Sequence, residues 1–337
     1  IKIYSQLNER LGIAMANSHL GLFHHALGDY ENAIKCNNKA IQEGEAVGDK
    51  YLFGLSYGNL GLVHLDRCEF DKAKDCFENH LHSSKEIGDE WGMTISSGNL
   101  GTVFHALGNF DKAITFYSQH RQLSKKLGYK KGEALTCGHF GRIYLEQERY
   151  KKAIKELEKN IAISSEISDK LGEGSAYSEL GGIYLRLDNL EKANKYLSKA
   201  KIVLESIGSR RNLIELYNRF CELSLKQKEE LVIARKYVKK ASQLSKELKN
   251  QAGMATSLLN CARIASHEKK KNANEQYEKS IKIFEKLGMK KKLADSWMEY
   301  GIFLKEEGKE EYKSFIRKAK KAYKEMGVPD TAAKSLV

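Results

Sequence analysis

A large apolar residue followed directly by glycine returns every 40 residues along the chain. Phe220-Cys221 and Asn260-Cys261 occupy the two slots of this register that lack glycine. The pairs that keep it are Leu20-Gly21, Leu60-Gly61, Leu100-Gly101, Phe140-Gly141, Leu180-Gly181 and Tyr300-Gly301. Twelve positions after most of the slots comes an alanine, at Ala33, Ala73, Ala113, Ala153, Ala193 and Ala273. Eight copies of one 40-residue unit therefore cover the sequence.

Each unit has the apolar spacing of two antiparallel helices. In the second unit this spacing predicts helices over Leu55–Leu65 and Phe70–Ile87. The turn residues of other units, such as Gly28-Asp29 and Gly108-Asn109, supply a helix stop followed by an N-cap. Because a single hairpin cannot bury its apolar side, neighbouring hairpins must stack. The sequence predicts an all-α solenoid of about eight hairpins with a concave and a convex side.

The regularity of the repeats divides the chain into four segments. Residues 14–213 hold five regular units, and residues 214–328 hold three less regular, basic units in which Ala234 comes one position late. Residues 1–13 match the end of a second helix, so we expect a preceding repeat that is truncated. Residues 329–337 are predicted to be a capping helix or the start of a further repeat. Together these ends predict a fragment of a larger protein, with room for an effector domain outside it.

Composition and charge predict a soluble protein that is almost entirely helical. The only proline is Pro329, and no apolar run is long enough to span a membrane. The six cysteines form no C-x-x-C pair, which favours a reducing, cytoplasmic location. Residues 201–337 contain 31 Lys and Arg against 18 Asp and Glu, so the net charge of +13 lies there. That excess indicates either solvated lysine faces or attraction to nucleic acid or another acidic surface.

The repeat pattern resembles the tetratricopeptide repeat over essentially the whole chain. Besides the apolar-glycine pair and the later alanine, an aromatic residue or histidine stands three positions after glycine, at His24, His64, Phe104, Tyr144 and Tyr184. The 40-residue period is similar to the subgroup found in LGN/Pins-type adaptors, kinesin light chains and bacterial regulators. Ser175 and Gly182 depart from the arginine and asparagine that LGN-type repeats often carry there. The resemblance implies a right-handed superhelix whose first helices line a groove for a partner.

Four slots of each first helix are expected to face that groove, at six, three and two residues before the glycine and one after it. The candidate residues are Met15, His19, Leu22, Leu55, Gly58, Asn59, Leu62, Ile95, Gly98, Asn99, Thr102, Leu135, His139 and Arg142. They describe an apolar floor with a ladder of amide and imidazole groups. Beyond the fifth unit the same slots become charged, as at Glu179, Glu215 and Arg219.

Two features of these slots point to a ligand. Gly58, Gly98 and Gly138 lie inside predicted helices, where each costs about 0.5–1 kcal/mol relative to alanine. Either the next helix packs closely against them or a ligand backbone does. The resemblance places Asn59 and Asn99 where related repeats hold a bound peptide backbone, a role that suits an amide. The alternative is that both bond neighbouring protein groups or solvent.

No catalytic motif is present. The sequence lacks the phosphate-binding, zinc-protease and nucleophile-elbow patterns. The histidines recur in equivalent repeat slots, as with His80 and His120, which indicates one structural role in each unit and not a metal site. We therefore expect a chain that is not itself an enzyme and that carries no cofactor.

Three functions remain open at this stage. The first is an adaptor or scaffold that binds an extended or helical segment of a partner protein in the groove. The second is the regulatory arm of a multidomain effector such as a protease, kinase, cyclase or nucleic-acid-guided complex. The third is association with nucleic acid through the basic C-terminal repeats. No membrane partner is expected, and the sequence leaves the oligomeric state open.

Overall fold

A computed structural model describes Tyr4 and residues 9–227, 231–270 and 272–329 of the 337-residue chain. Within these ranges the regular structure consists of sixteen α-helices, and no described residue lies in a β-strand. The chain divides into two compact units, which we call unit 1 (residues 1–129) and unit 2 (residues 130–337). The predicted all-α repeat fold is confirmed.

Helices pair into consecutive hairpins, in which an odd-numbered first helix is followed by an even-numbered second helix. Unit 1 contains α1 (Arg10–Ala26), α2 (Tyr30–Val47), α3 (Lys50–Asp66), α4 (Phe70–Glu86), α5 (Glu90–Ala106) and α6 (Phe110–Lys126). Unit 2 contains α7 (Lys130–Glu146), α8 (Tyr150–Glu166), α9 (Lys170–Arg186), α10 (Leu190–Ser206), α11 (Arg210–Lys226), α12 (Leu231–Glu247), α13 (Gln251–His267), α14 (Ala273–Lys286), α15 (Lys290–Glu306) and α16 (Tyr312–Glu325). Inside each unit every helix packs against the next one. First helices also contact the first helix of the following hairpin, as α1 does with α3 and α3 with α5.

The turn before each first helix fixes where that helix begins. Gly48 ends α2 in the left-handed conformation at φ 72°, and the Asp49 side chain then accepts a hydrogen bond of 2.9 Å from the Leu52 amide. Helix α3 therefore begins at Lys50, five residues before the predicted start at Leu55. The prediction was short because Gly54, directly before the predicted start, weakens helix propensity, as Gly58 does inside the predicted helix. Both glycines are buried, and packing offsets that cost.

Hairpins close tightly at the glycine of the repeat. A β-carbon on Gly61 would lie 2.6 Å from the Phe77 ring, and one on Gly101 would lie 2.5 Å from the Tyr117 ring. Small residues on the second helix complete the contact, since Ala73 and Ala113 are fully buried. The glycine slot thus allows a large side chain of the second helix to pack directly against the backbone of the first helix.

The less regular part of the sequence lies in unit 2. Cys221 takes the glycine slot there and is buried with Leu225 and Ala234. Helix α11 ends at Lys226 and α12 begins at Leu231, while residues 228–230 of the predicted irregular stretch lie outside the described residues. Most of the predicted end segments, at residues 1–3, 5–8 and 330–337, also lie outside them. The division of regular from less regular units at residue 214 stays a prediction.

Candidate functional site

The groove residues predicted on the first helices of unit 1 are exposed or half-buried, apart from the two glycines among them. Of the predicted residues, Met15 and Leu22 are 48% and 46% exposed, and His19 is also exposed. The others on this side are half-buried: Leu55, Asn59, Leu62, Ile95, Asn99 and Thr102. We call these nine residues the unit 1 groove face. It combines aliphatic side chains with polar ones.

Two predicted members of the groove are corrected by the structure. Gly58 and Gly98 are buried and face the second helix of their own hairpin. A β-carbon on Gly58 would lie 2.6 Å from Nδ1 of His80, and one on Gly98 would lie 2.4 Å from Nδ1 of His120. Because these glycines have no β-carbon, the histidine of the second helix can pack against them. Of the two explanations given for the glycines, this geometry supports close packing of the next helix. In the same slot of unit 2, a β-carbon on Gly138 would lie 2.8 Å from the Asn160 amide.

The two histidines that fill these spaces are buried and neutral. No described group hydrogen-bonds to Nδ1 of His80 or to either ring nitrogen of His120. Burial lowers the pKa of His120 to about 4, and burial also lowers the pKa of His80. These histidines are therefore core residues, as their repeated register predicts.

Asn59 and Asn99 occupy equivalent positions but have different surroundings. The Asn59 amide donates a hydrogen bond of 3.2 Å to Oγ of Ser18 in the preceding hairpin. The residue equivalent to Ser18 for Asn99 is Gly58, which has no side chain. Among the residues that the structure describes, none hydrogen-bonds to the Asn99 side chain. An amide with both donor and acceptor capacity is thus left open on the unit 1 groove face.

The Thr102 hydroxyl is already engaged within its own hairpin. It donates to the Gly98 carbonyl at 3.1 Å and accepts from the Tyr117 hydroxyl at 3.3 Å. Its methyl group is what the side chain adds to the groove face.

Two exposed aromatic residues extend the face by one helical turn, and the sequence-based prediction missed them. Tyr51 and Trp91 stand four positions before Leu55 and Ile95, so they lie on the same side of α3 and α5. They are 57% and 50% exposed, and Trp91 makes an edge-to-face contact with Tyr129 at 4.7 Å. The signal was available, because both aromatics stand at one register position of the 40-residue repeat. Exposed aromatic residues of this kind are typical anchors for a ligand.

The remaining predicted residues lie on α7 in unit 2. Leu135 is exposed, His139 is half-buried and Arg142 is exposed. Arg142 donates to Glu179 of α9 through Nε at 3.3 Å and Nη2 at 3.1 Å. It therefore begins a row of ion pairs.

This row, which we call the unit 2 charge ladder, comprises Arg142, Glu179, Arg219 and Glu215. Glu179 is 5% exposed and accepts from Arg219 at 2.8 Å as well as from Arg142. Arg219 also donates to Glu215 at 2.8 Å and to Oγ of Ser178 at 3.0 Å. The guanidinium of Arg219, with Lys292 and Arg142, lowers the pKa of Glu215 to about 2. The charged slots predicted beyond the fifth unit thus bind one another.

The described residues offer no obvious reaction chemistry. No group of three His, Cys, Asp or Glu among them could hold a metal ion. All six cysteines are free, and burial raises the pKa of both Cys76 and Cys221 to about 12, so neither supplies a thiolate. Across the helices of the described ranges, none has the length and apolar character to cross a membrane.

The stacked hairpins with their glycine and alanine slots define a helical-hairpin repeat protein. The chain belongs to the tetratricopeptide repeat family, whose model matches residues 12–86, 52–126, 92–164 and 133–206. The family resemblance of the sequence is therefore confirmed. No curated protein matches the chain significantly in sequence.

Solved structures with a similar fold include two complexes with a named peptide or factor. The Rap conjugation gene regulator of the plasmid pLS20, in complex with the Phr* peptide, has a TM-score of 0.70 at 11% identity, covering 88% of this chain and 84% of that one. A Rap protein complexed with competence and sporulation factor has a TM-score of 0.68 at 14% identity, covering 89% and 85%. Aspartyl phosphate phosphatase F from Bacillus subtilis has a TM-score of 0.63 at 14% identity, covering 97% and 89%. At these identities the similarity is one of fold.

Proposed function

We propose that the unit 1 groove face binds an extended peptide segment of a partner. The observation that carries this proposal is the Asn99 amide, which lies half-buried on that face with no hydrogen-bond partner among the described residues. An extended peptide has unpaired N–H and C=O groups, and one amide side chain can bond both. Asn99 would then fix the position of the ligand backbone along α5.

Affinity would come from the apolar members of the face. Ile95 lies one turn before Asn99, and Leu55 and Leu62 lie on the adjacent first helix. The exposed rings of Trp91 and Tyr51 lie on the same side, one helical turn before Ile95 and Leu55 respectively. Covering this surface with apolar ligand side chains removes it from water, at about 25 cal/mol for each Å².

The structural neighbours favour a regulator that responds to a peptide over a static adaptor. Two of those described above are complexes with a named peptide or factor, and one of these proteins is called a gene regulator. We therefore propose that peptide binding is the input of this chain, with its regulatory target elsewhere. A static adaptor would bind its partner on the same face, but its shape would not change when the partner binds.

The test begins with selection of short peptides from a random displayed library on the purified full chain. Affinities of the selected peptides are then measured by fluorescence anisotropy for the wild type, Asn99→Ala and Asn79→Ala. Asn79 is a matched control, because its amide bonds only the Asp75 carbonyl of its own helix on α4. We expect about a tenfold loss of affinity for Asn99→Ala and no change for Asn79→Ala.

Two outcomes would count against the proposal. One is selection of no peptide above background. The other is selected peptides whose affinity is the same for all three proteins, which would place the site away from Asn99. Small-angle scattering with and without a selected peptide separates the two functions, since a responsive regulator changes shape and an adaptor does not.

A further inference from the structure

The last described helix carries a row of cations along one side. Lys313, Arg317, Lys320 and Lys324 follow one another at four-, three- and four-residue steps, and all are exposed. At 1.5 Å per residue this row is about 17 Å long. An adjoining side of α16 is packed into unit 2, where Ala319 and Tyr323 are fully buried.

An open groove of about 970 Å³ runs along this row. Its apolar members are Tyr312, Ile316 and Val328. Its other lining residues are Lys313, Arg317, Lys320, Lys321 and Lys324. We call these eight residues the α16 basic face.

The α16 basic face is held by the fold as a preformed surface. Ile316 packs against α15, where a β-carbon on Gly301 would lie 2.7 Å from its side chain. Val328 is buried, and its amide donates to the Tyr323 carbonyl at 2.9 Å, which closes the end of the helix.

The charge of this face is barely compensated by the protein. Glu310 pairs with Lys313 at 2.5 Å and Glu325 approaches Lys321 at 4.0 Å, and both carboxylates are highly exposed. Exposed ion pairs of this kind contribute little free energy. Arg317, Lys320 and Lys324 have no ion pair among the described residues.

We infer that the α16 basic face is a docking surface for an acidic amphipathic segment of a partner protein. Carboxylates of such a segment match the row of cations, while its apolar side chains cover Ile316 and the Tyr312 ring. The apolar floor is what favours protein over nucleic acid, since a phosphodiester backbone has nothing to bury there. Among the described residues that line the groove, Tyr312 is also the single aromatic one, whereas proteins that bind single strands stack bases on several. The surface is separate from the unit 1 groove face and does not depend on its function.

The experiment measures binding of three fluorescent probes to the full chain by anisotropy. The first probe is a peptide of the length of α16 with leucines at helical spacing and glutamates elsewhere. The second is polyglutamate of the same length, and the third is oligothymidylate. Each is titrated against the wild type and the charge-reversed variant R317E/K320E/K324E.

The matched control is K236E/K239E/K246E on α12, which reverses three lysines that are also exposed and changes the net charge by the same amount. Circular dichroism melting verifies that each variant is folded. A neutralised variant, R317Q/K320Q/K324Q, replaces the charge-reversed one if that variant does not fold.

For the amphipathic peptide we expect about tenfold weaker binding with R317E/K320E/K324E and less than about twofold with the α12 control. It should also bind the wild type more tightly than polyglutamate does. Equal losses in both variants would overturn the proposal, because diffuse charge would then explain the binding. Tighter binding of oligothymidylate, equal binding of polyglutamate, or no binding of the peptide would overturn it too.

Discussion

Gly98 and His120 share one site between α5 and α6, where a β-carbon on the glycine would lie 2.4 Å from Nδ1 of the histidine. The fifth unit of the same chain holds Ser178 and Ala200 at the equivalent positions. The first five repeats therefore fill the space in one of two ways, with a glycine and a large side chain or with a serine and a small one.

The exchange of one solution for the other can be tested directly. Gly98→Ser should destabilise unit 1 by about 1–3 kcal/mol through the clash. His120→Ala should cost about 2 kcal/mol through the cavity. The double variant recreates the Ser178/Ala200 arrangement, and we expect its free energy of unfolding to lie within about 1 kcal/mol of the wild type. Denaturant unfolding of all four proteins measures this, and simple addition of the two losses would contradict it.

Stability should fall in mild acid because of the buried histidine. The ordinary pKa of histidine is about 6.5, and in the folded chain burial lowers that of His120 to about 4. Between these two pH values His120 is protonated in the unfolded chain and neutral in the folded chain. The contribution is complete above about pH 6.5 and is lost as the pH falls toward 4.

The readout is a comparison of the wild type with His120→Asn, which follows the Asn160 example in the fourth unit. Between pH 7 and pH 4.5 we expect the wild type to lose about 2–3 kcal/mol more than the variant. Carboxylates that titrate in this range affect both proteins equally. A parallel fall of the two curves would show that His120 is protonated in the folded state.

Glu179 should be a major contributor to the stability of unit 2. Its buried carboxylate bonds Arg142 and Arg219, and Glu179→Gln would leave Arg219 with less compensation. We expect a loss of about 2–4 kcal/mol, as for other buried pairs that are broken on one side. Glu310→Gln, in an exposed pair with Lys313, should change stability by less than about 0.5 kcal/mol. Thermal unfolding of both variants measures the contrast, and similar effects would refute it.

The turns between helices contain residues under backbone strain. Ser168 has φ 57°, in a position where other repeats carry glycine. Ser168→Gly should stabilise the protein by up to about 1 kcal/mol, since glycine adopts this conformation freely. Gly88→Ala is the converse test: a β-carbon there meets nothing within 4 Å, so a loss of about 1 kcal/mol would come from the backbone alone. Opposite signs for the two variants are the expected result.

The helices and their pairing were predictable because their determinants are local and repeated eight times. The apolar-glycine pair and the later alanine predicted two packed helices in each unit. The start of α3 was missed, although Asp49 directly after Gly48 is the local signal that sets it. These features follow from a side chain, its slot and the turn that precedes it.

The candidate site was predictable only in part, because it depends on contacts between repeats. Register placed Asn59 and Asn99 in one class, yet only Asn59 has Ser18 in front of it. Register also placed Gly58 and Gly98 on the groove, whereas the size of His80 and His120 keeps them in the core. A sequence pattern gives the direction of a side chain and leaves out the identity of the group that it meets.

The Gly98 and His120 pair also sets where the gene for such a chain can be recombined. Its two members belong to a single hairpin, as do Gly58 and His80, so a crossover in the turn at Gly48-Asp49 or Gly88-Asp89 moves each pair intact. A crossover in the turn inside a hairpin, as at Gly108-Asn109, would separate them. With the first or fifth unit as partner it would join glycine to alanine or serine to histidine. Duplication in the frame of residues 50–89 therefore yields a hairpin that already contains both Gly58 and His80. Duplication in the frame of residues 30–69 would instead create one hairpin that pairs Gly58 with Ala40 and leaves the space of the histidine unfilled.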